Sequence, residues 1–191
     1  MSLAIGVDVG GTTVKAGLVT EDGSVSETTS SPTPTESAGR VATTIAEAVK
    51  ALRDKASQDV SAVGIGAAGF VDAERATVLF APNLPWRDEP LRDEVSDRVG
   101  LPVVVENDAN AMAWGEYRFG AGRGAHTLVC VTIGTGIGGG IILGGALLRG
   151  AYGMAAEFGH QRVIPEGRRC GCGNRGCWEQ YCSAGALARE A

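Results

Sequence analysis

The sequence lacks any block of basic residues. Its 17 Lys and Arg and 22 Asp and Glu are spread along 191 residues and give a formal net charge of −5. Because nucleic acids and anionic membrane surfaces are bound by clustered positive charge, we expect neither as a partner. A long hydrophobic run is also missing. The most apolar stretch, residues 133–148, is shorter than the roughly 18 residues of a membrane helix and is rich in glycine, so we interpret it as buried structure.

The sequence also has no recognisable secretory leader. The first residues, MSLAIGVDVGG, contain no basic segment followed by a long apolar one and a cleavage pattern. We therefore expect a cytoplasmic protein. In a reducing compartment, closely spaced cysteines are typical of metal or catalytic sites rather than of disulfides. Four of the five cysteines form such a group in RRCGCGNRGCWEQYC, residues 168–182.

No Gly-Lys-Ser or Gly-Lys-Thr occurs, which excludes the P-loop motif for phosphate binding. Glycine itself is abundant, at 29 of 191 residues, whereas its usual share is about 7%. The glycine clusters directly follow apolar runs, which predicts ligand-binding loops between strands. Gly134, Gly136 and Gly139 match the pattern G-x-G-x-x-G. The apolar GIILGG that follows predicts a strand, however, where a dinucleotide-binding fold requires a helix.

Strand and helix patterns alternate along the chain and predict an α/β fold. Buried strands are predicted at LAIGVDV, VSAVGIGAAG, LPVVVEN and HTLVCVTIG, and a hairpin turn at Asp22-Gly23. The period of an amphipathic helix is followed by four apolar residues, Val41, Ile45, Val49 and Leu52. Further helices are predicted between Pro90 and Gly100 and over residues 108–120.

Two segments share the order strand, glycine-rich turn, strand: IGVDVGGTTVKAGLV and CVTIGTGIGGGIILGG. This predicts a duplication, with an N-terminal α/β lobe at residues 1–119 and the start of a C-terminal lobe at residues 120–191. Because backbone N–H groups of residues without Cβ can approach phosphate oxygens, the paired turns suit a triphosphate. The predicted nucleotide-binding residues are Asp8, Gly10, Gly11, Thr12, Thr13, Lys15, Gly134, Thr135, Gly136 and Gly138. Asp8 is expected to reach Mg²⁺ through water. Alternatively, each turn only closes a hairpin and Asp8 only ends a strand.

Five motifs together resemble those of the bacterial ROK family (repressors, open reading frames, kinases), most closely its glucokinases. They are DVGGTTVKAGLV, VVVENDANAMAWGE, VTIGTGIGGGII, AAEFGH and CGCGNRGCWE, in this order. The resemblance extends over essentially the whole chain. It implies the actin-like ATPase fold, with two ribonuclease-H-like lobes and ATP and a hexose in the cleft. The implied activity is ATP-dependent phosphorylation of glucose at its 6-hydroxyl.

Asp108 is the candidate catalytic base. It follows a buried strand and opens a helix, at the sheet edge where α/β proteins place ligand groups. Its position alone favours a helix N-cap. The resemblance implies that Asp108 accepts the hydroxyl proton during phosphoryl transfer. It also implies six sugar-binding residues: Asn83, Asn107, Asp108, Glu157, His160 and Glu179.

The clustered cysteines are the candidate metal site. Cys170, Cys172 and Cys177 supply three soft ligands, and a four-coordinate Zn²⁺ needs one more. Spacing leaves both Cys182 and His160 as candidates for the fourth ligand. The resemblance implies His160. A closed site of this kind is structural, so its role would be to fix the loop that carries Glu179.

Members of the family are longer than this chain, so we expect the second lobe to be incomplete here. Repressors of the family carry a winged helix-turn-helix before the first glycine turn, where this sequence has only a few residues. A repressor fragment is therefore the weaker alternative. N-acetylmannosamine, N-acetylglucosamine, fructose or allose could replace glucose, and polyphosphate could replace ATP. The resemblance also implies a dimer or a tetramer.

Overall fold

The structure, a computed structural model, describes residues 3–190, which form two compact units. The first unit runs to Asp108 and includes Ala151–Gly153; the second comprises Ala109–Gly150 and the chain from Met154 onward. The two units divide at the start of the helix that follows Asn107. The predicted lobe boundary lies at the end of that helix, and the division into lobes stays a prediction.

The first unit is built on a five-stranded sheet with the order β3-β2-β1-β4-β8. Its strands are β1 (Leu3–Val9), β2 (Thr13–Val19), β3 (Val25–Pro32), β4 (Val60–Ala67) and β8 (Val103–Asn107). β1, β4 and β8 are parallel, whereas β1, β2 and β3 form an antiparallel meander. Three predicted strands, LAIGVDV, VSAVGIGAAG and LPVVVEN, lie in this sheet, and the predicted Asp22-Gly23 turn connects β2 to β3. The fourth predicted strand, HTLVCVTIG, lies in the second unit.

Two helices of the first unit lie where the sequence predicts them. In α1 (Ala38–Arg53), Ser37 caps the start by accepting the N–H of Arg40, and the four predicted apolar residues are buried. α2 (Leu91–Val99) follows Pro90 and ends at Gly100, whose φ of 68° is left-handed. Glycine adopts that conformation without the steric cost of a Cβ, so the helix stops there.

A small antiparallel sheet in the same unit was not predicted. It consists of β5 (Phe70–Val71), β6 (Val78–Phe80) and β7 (Arg87–Glu89), in that spatial order. The turn between β5 and β6 is fixed by Asp72, whose carboxylate accepts the N–H groups of Ala76 and Thr77. Strands of two or three residues are too short to give a periodic pattern, which is why the sequence did not reveal them.

The second unit contains a three-stranded sheet in the order β11-β10-β9. Its strands are β9 (Thr127–Ile133), β10 (Ile137–Leu143) and β11 (Ala146–Leu147). Helix α3 (Asp108–Phe119) packs on β10, where Gly138 and Gly140 leave room for Ala109 and Ala113. A 3-10 turn (Phe158–His160) and two short helices, α4 (Glu179–Cys182) and α5 (Ala184–Glu190), complete the unit. Within residues 3–190, no helix combines the length and the apolar character that crossing a membrane requires.

Candidate functional site

The parallel strands of the first unit end at the same level. Val9 at the end of β1 pairs with Ala67 at the end of β4, and Ala67 pairs with Asn107 at the end of β8. The three segments that follow these strands therefore begin at one edge of the sheet. Carboxyl ends of parallel strands are where α/β folds bind ligands. This edge carries the predicted base and the first glycine turn.

Asn107 holds the carboxylate of Asp108 in place. Its Nδ2 donates to Asp108 Oδ1 at 3.1 Å and to the carbonyl oxygen of Gly69 at 3.1 Å. Asp108 itself is exposed at the first position of α3. One amide thus joins the predicted base to the segment after β4, and the carboxylate remains open to solvent. Gly69, whose carbonyl takes part, was not among the predicted residues; the only signal for it was a glycine at the end of a predicted strand.

The first glycine turn connects β1 to β2. The N–H of Gly10 donates to the Thr13 carbonyl oxygen at 3.0 Å, and the Thr33 hydroxyl donates to the Gly10 carbonyl oxygen at 2.8 Å. A Cβ at Gly11 would lie 3.3 Å from the Cβ of Asn83. Asn83 therefore lies against this turn, although it is far from Gly11 in sequence. Thr33 is a further contributor that sequence reasoning missed.

Asp8 and Lys15 are the charged residues beside the first glycine turn. They are register partners across the β1–β2 pair, and both are exposed. Thr12 is also exposed, next to Thr13. The arrangement presents a carboxylate, an ammonium group and hydroxyls on one hairpin, as the prediction for phosphate and Mg²⁺ binding requires.

The second glycine turn connects β9 to β10. The N–H of Gly134 donates to the Gly136 carbonyl oxygen at 2.9 Å, and the N–H of Ala184 donates to the Gly134 carbonyl oxygen at 2.8 Å. Thr135 is exposed at the tip. Gly138 is already in β10, and its N–H donates to the Thr132 hydroxyl at 3.1 Å. Gly134, Thr135 and Gly136 are therefore the predicted residues that form the turn itself.

The second unit brings four predicted metal ligands together. One ligand atom from each of His160, Cys170, Cys172 and Cys177 lies within 4.8 Å of all the others. The glycine-rich knuckle that carries the cysteines, residues 170–177, is held by two isolated backbone β-bridges, Arg162↔Cys177 and Arg169↔Arg175. Within residues 3–190, Cys182 does not belong to this group, and it is exposed.

The spacing of these atoms fits a four-coordinate Zn²⁺. A zinc–sulfur distance of about 2.3 Å in a tetrahedron puts neighbouring sulfurs about 3.8 Å apart. The Sγ atoms of Cys172 and Cys177 are 3.7 Å apart, and Cys170 Sγ lies 3.6 Å from His160 Nδ1. Three sulfurs and one imidazole nitrogen also match the ligands that zinc prefers.

Burial governs the electrostatics of this cluster. Burial raises the pKa of the Cys170 thiol, and it also raises the pKa of the Cys177 thiol. Without a cation the two thiols therefore keep their protons, and the Cys170 thiol donates to Glu179 Oε1 at 3.1 Å. A divalent cation would favour the thiolates and release these protons.

Two further predicted sugar-binding residues, Glu157 and Glu179, lie beside His160 of the cluster. His160 Nε2 lies 4.0 Å from Glu157 Oε2, and His160 Nδ1 lies 3.7 Å from Glu179 Oε1. The imidazole thus turns one nitrogen to the cysteines and Glu179 and the other to Glu157. His160 was predicted both as a metal ligand and as a sugar ligand, and its two ring nitrogens leave one for each role.

Comparison with known proteins gives consistent matches along the chain. A family model described as the ROK family matches residues 4–191. The chain is 56% identical over 191 residues to a glucokinase of Streptomyces coelicolor, covering all of this chain and 59% of that protein. It is 46% identical over 187 residues to a glucokinase of Thermotoga maritima, covering 97% of this chain and 58% of that protein.

A solved structure also matches nearly the whole chain. It is a glucokinase from Streptomyces griseus in complex with glucose and AMPPNP, with a TM-score of 0.92 and 60% sequence identity. The match covers 98% of this chain and 59% of that one. The chain therefore spans somewhat more than half the length of these relatives.

Proposed function

Because the chain belongs to the ROK family and has its actin-like ATPase fold, we propose that the whole protein transfers the γ-phosphoryl group of ATP to the 6-hydroxyl of glucose. The observation that carries the proposal is the Asn107–Asp108 pair at the carboxyl edge of the parallel strands. A positioned carboxylate at this edge is the one reactive group that the transfer requires from the protein.

In the proposed reaction Asp108 acts as the base. The 6-oxygen of glucose forms a bond to the γ-phosphorus while the bond from that phosphorus to the β,γ-bridging oxygen breaks. The 6-hydroxyl proton passes to the Asp108 carboxylate, and ADP leaves with the bridging oxygen. Because the transition state of such transfers is loose, most of the rate comes from placing the reactants and neutralising charge. The hydrogen bond from Asn107 serves that placement by fixing the carboxylate.

The other sugar hydroxyls are assigned to Asn83, Asn107, Glu157, His160 and Glu179. Amide and imidazole groups donate and accept, and carboxylates accept, so the set can pair with several vicinal hydroxyls. Asn83, Asn107 and Asp108 belong to the first unit, and Glu157, His160 and Glu179 belong to the second.

The two glycine turns are assigned to the nucleotide phosphates, with Asp8 contacting Mg²⁺ through water. Support comes from Asp8 and Lys15, which are exposed on the strands beside the first turn, and from Thr135, which is exposed at the tip of the second. Magnesium would neutralise charge that develops on the phosphates.

His160, Cys170, Cys172 and Cys177 are assigned to a structural zinc ion. A zinc ion with four protein ligands has no open position for substrate, so it contributes folding energy rather than chemistry. Its place beside Glu179 supports a role in ordering the sugar-binding loop.

Several finer features stay part of the proposal. They are the two lobes, 1–119 and 120–191, a place in glycolysis, the cytoplasm as the location, and a dimer or tetramer as the assembled form. N-acetylmannosamine, N-acetylglucosamine, fructose and allose are the hexoses to test against glucose.

The test is a coupled ADP-release assay of the whole protein over that panel of hexoses. Asp108→Asn should lower kcat by about 10²-fold or more, the usual contribution of a positioned base. Asp97→Asn, which changes an exposed carboxylate on α2, is the matched control and should keep the activity. ADP release that does not depend on any hexose, or a fully active Asp108→Asn variant, would refute the assignment.

A further inference from the structure

The backbone conformation of Gly136, in the second glycine turn, does not require glycine. Its carbonyl oxygen accepts the N–H of Gly134 at 2.9 Å and so closes the turn. Nine glycines of the described chain have positive φ, and Gly136 is not one of them. Its backbone conformation is therefore open to residues with a side chain. A different constraint must explain why this position has no Cβ.

That constraint is the carboxylate of Glu179. A Cβ at Gly136 would lie 2.8 Å from Glu179 Oε2, closer than such atoms approach in real structures. The neighbouring glycines differ. At Gly134 the Cβ direction is open, with nothing within 4 Å, and at Gly138 the space is filled by Ala109 and Thr132. Within this turn, the space at Gly136 is the one that faces a carboxylate.

The other oxygen of Glu179 is held from the opposite side. Oε1 accepts hydrogen bonds from Cys170 Sγ at 3.1 Å and from Gln180 Nε2 at 3.3 Å, and it lies 3.7 Å from His160 Nδ1. The side chain is only 16% exposed. A methyl group at position 136 would therefore push the carboxylate away from the turn, against the cysteine and histidine that already contact it.

We propose that Gly136 is a positioning residue for glucose, because the space left by its missing side chain sets where the Glu179 carboxylate lies. The inference rests on the proposed function, in which Glu179 binds the hexose. It gives this glycine a part in sugar binding, whereas the sequence assigned it to phosphate binding. A displaced carboxylate would weaken glucose binding and leave nucleotide binding intact.

The first test compares Gly136→Ala with Gly115→Ala in the whole protein. Gly115 lies on α3, outside the proposed site, and has nothing within 4 Å of its Cβ direction. Gly136→Ala should raise the KM for glucose and its Kd by calorimetry by about tenfold, because a displacement of about 1 Å can cost up to about 10²-fold. Because this turn is also assigned to the ATP phosphates, the rise in the KM for glucose should exceed any rise in the KM for ATP. An unchanged glucose KM, or a rise in the ATP KM alone, would overturn the proposal.

The second test asks whether the effect acts through Glu179. Glu179→Asp withdraws the carboxylate from the turn, so adding Gly136→Ala to it should change the glucose KM by less than about twofold. An equal penalty in both backgrounds would overturn the proposal. If the wild-type protein phosphorylates none of the hexoses, the proposed function fails and the inference falls with it. If the wild type is active and Gly136→Ala matches it, the inference alone fails.

Discussion

Glu89 lies where its ionised form is disfavoured. It ends β7 and lies beside Glu94 on α2. Burial raises the pKa of Glu89, the charge of Glu94 raises it further, and Arg98 opposes the rise. The folded state therefore holds this proton more tightly than the unfolded chain does. As the pH rises from the ordinary glutamate value through the raised pKa, the free energy of unfolding falls.

Glu89→Gln should accordingly stabilise the protein at pH 8, because glutamine keeps the shape of the side chain and removes the charge. Near pH 3, below the ordinary pKa of glutamate, the carboxyl is protonated in both states, so the variant and the wild type should melt at the same temperature. The measurement is the thermal midpoint at the two pH values. Glu21→Gln, in the exposed turn after β2, is the control and should show no such pH dependence. A gain of equal size at both pH values would contradict the prediction.

Individual site residues were predictable to different degrees. The cysteine spacing predicted three members of the His-Cys cluster, but it left His160 and Cys182 equivalent because spacing along a chain does not fix distance in space. The position of Asp108 followed from the end of a buried strand. The contacts of Gly69 and Thr33 were not predictable, since each depends on how segments distant in sequence meet.

At the scale of elements, the cysteine knuckle depends on a glycine with a tight contact. Gly176 has a φ of 75°, and a Cβ there would lie 1.7 Å from the Ile164 carbonyl oxygen. Gly173 has a φ of 92°, and nothing lies within 4 Å of its Cβ direction. The two positions share the left-handed backbone and differ in the space around them. They form a matched pair for testing what the contact contributes.

Gly176→Ala should prevent the knuckle from closing and abolish the zinc content of the purified protein. Gly173→Ala should retain zinc, because it meets only the backbone strain of about 1–3 kcal/mol. Elemental analysis of the wild type should give equimolar zinc, and His160→Ala should lose it. Zinc in Gly176→Ala at the wild-type level would show that the knuckle tolerates a shifted backbone.

Elements with a clear period were predictable, and short ones were not. The parallel strands of the large sheet are short apolar runs, α1 follows the helical period of 3.6, and α2 is bounded by Pro90 and Gly100. Three strands of two or three residues, β5 to β7, lack enough residues for a pattern. For the glycines of β10, the sequence indicated a possible role but could not show what each glycine packs against. The sequence suggested phosphate contacts for Gly138, whereas the structure shows that its Cβ space is filled by Ala109 and Thr132.

At the scale of the whole molecule, β9 presents an apolar row to solvent. Val129, Val131 and Ile133 are 57%, 44% and 65% exposed and point to one face of the sheet. Among residues 3–190, only β10 pairs with β9, so one edge of this strand also carries unpaired backbone groups. Exposed apolar surface on an open edge favours association with other chains.

Residues 1–191 expressed alone should therefore self-associate and bind a hydrophobic dye. The double variant Val131→Thr, Ile133→Thr should reduce both effects, because threonine keeps the preference for strand and lowers the apolar area. Light scattering and dye fluorescence measure the outcome. Val25→Thr removes an equally exposed valine from β3 and should have little effect. A monomeric chain without dye binding would contradict the prediction.

The short segment Ala151–Gly153 belongs to the first unit, while the residues on both sides of it belong to the second. Gly153, with a φ of 83°, fits so closely that a Cβ would lie 2.3 Å from the Val71 carbonyl oxygen. The polypeptide thus crosses between the units at three points rather than one. A single protease cut between residues 120 and 127 should leave two fragments that migrate together until they are denatured.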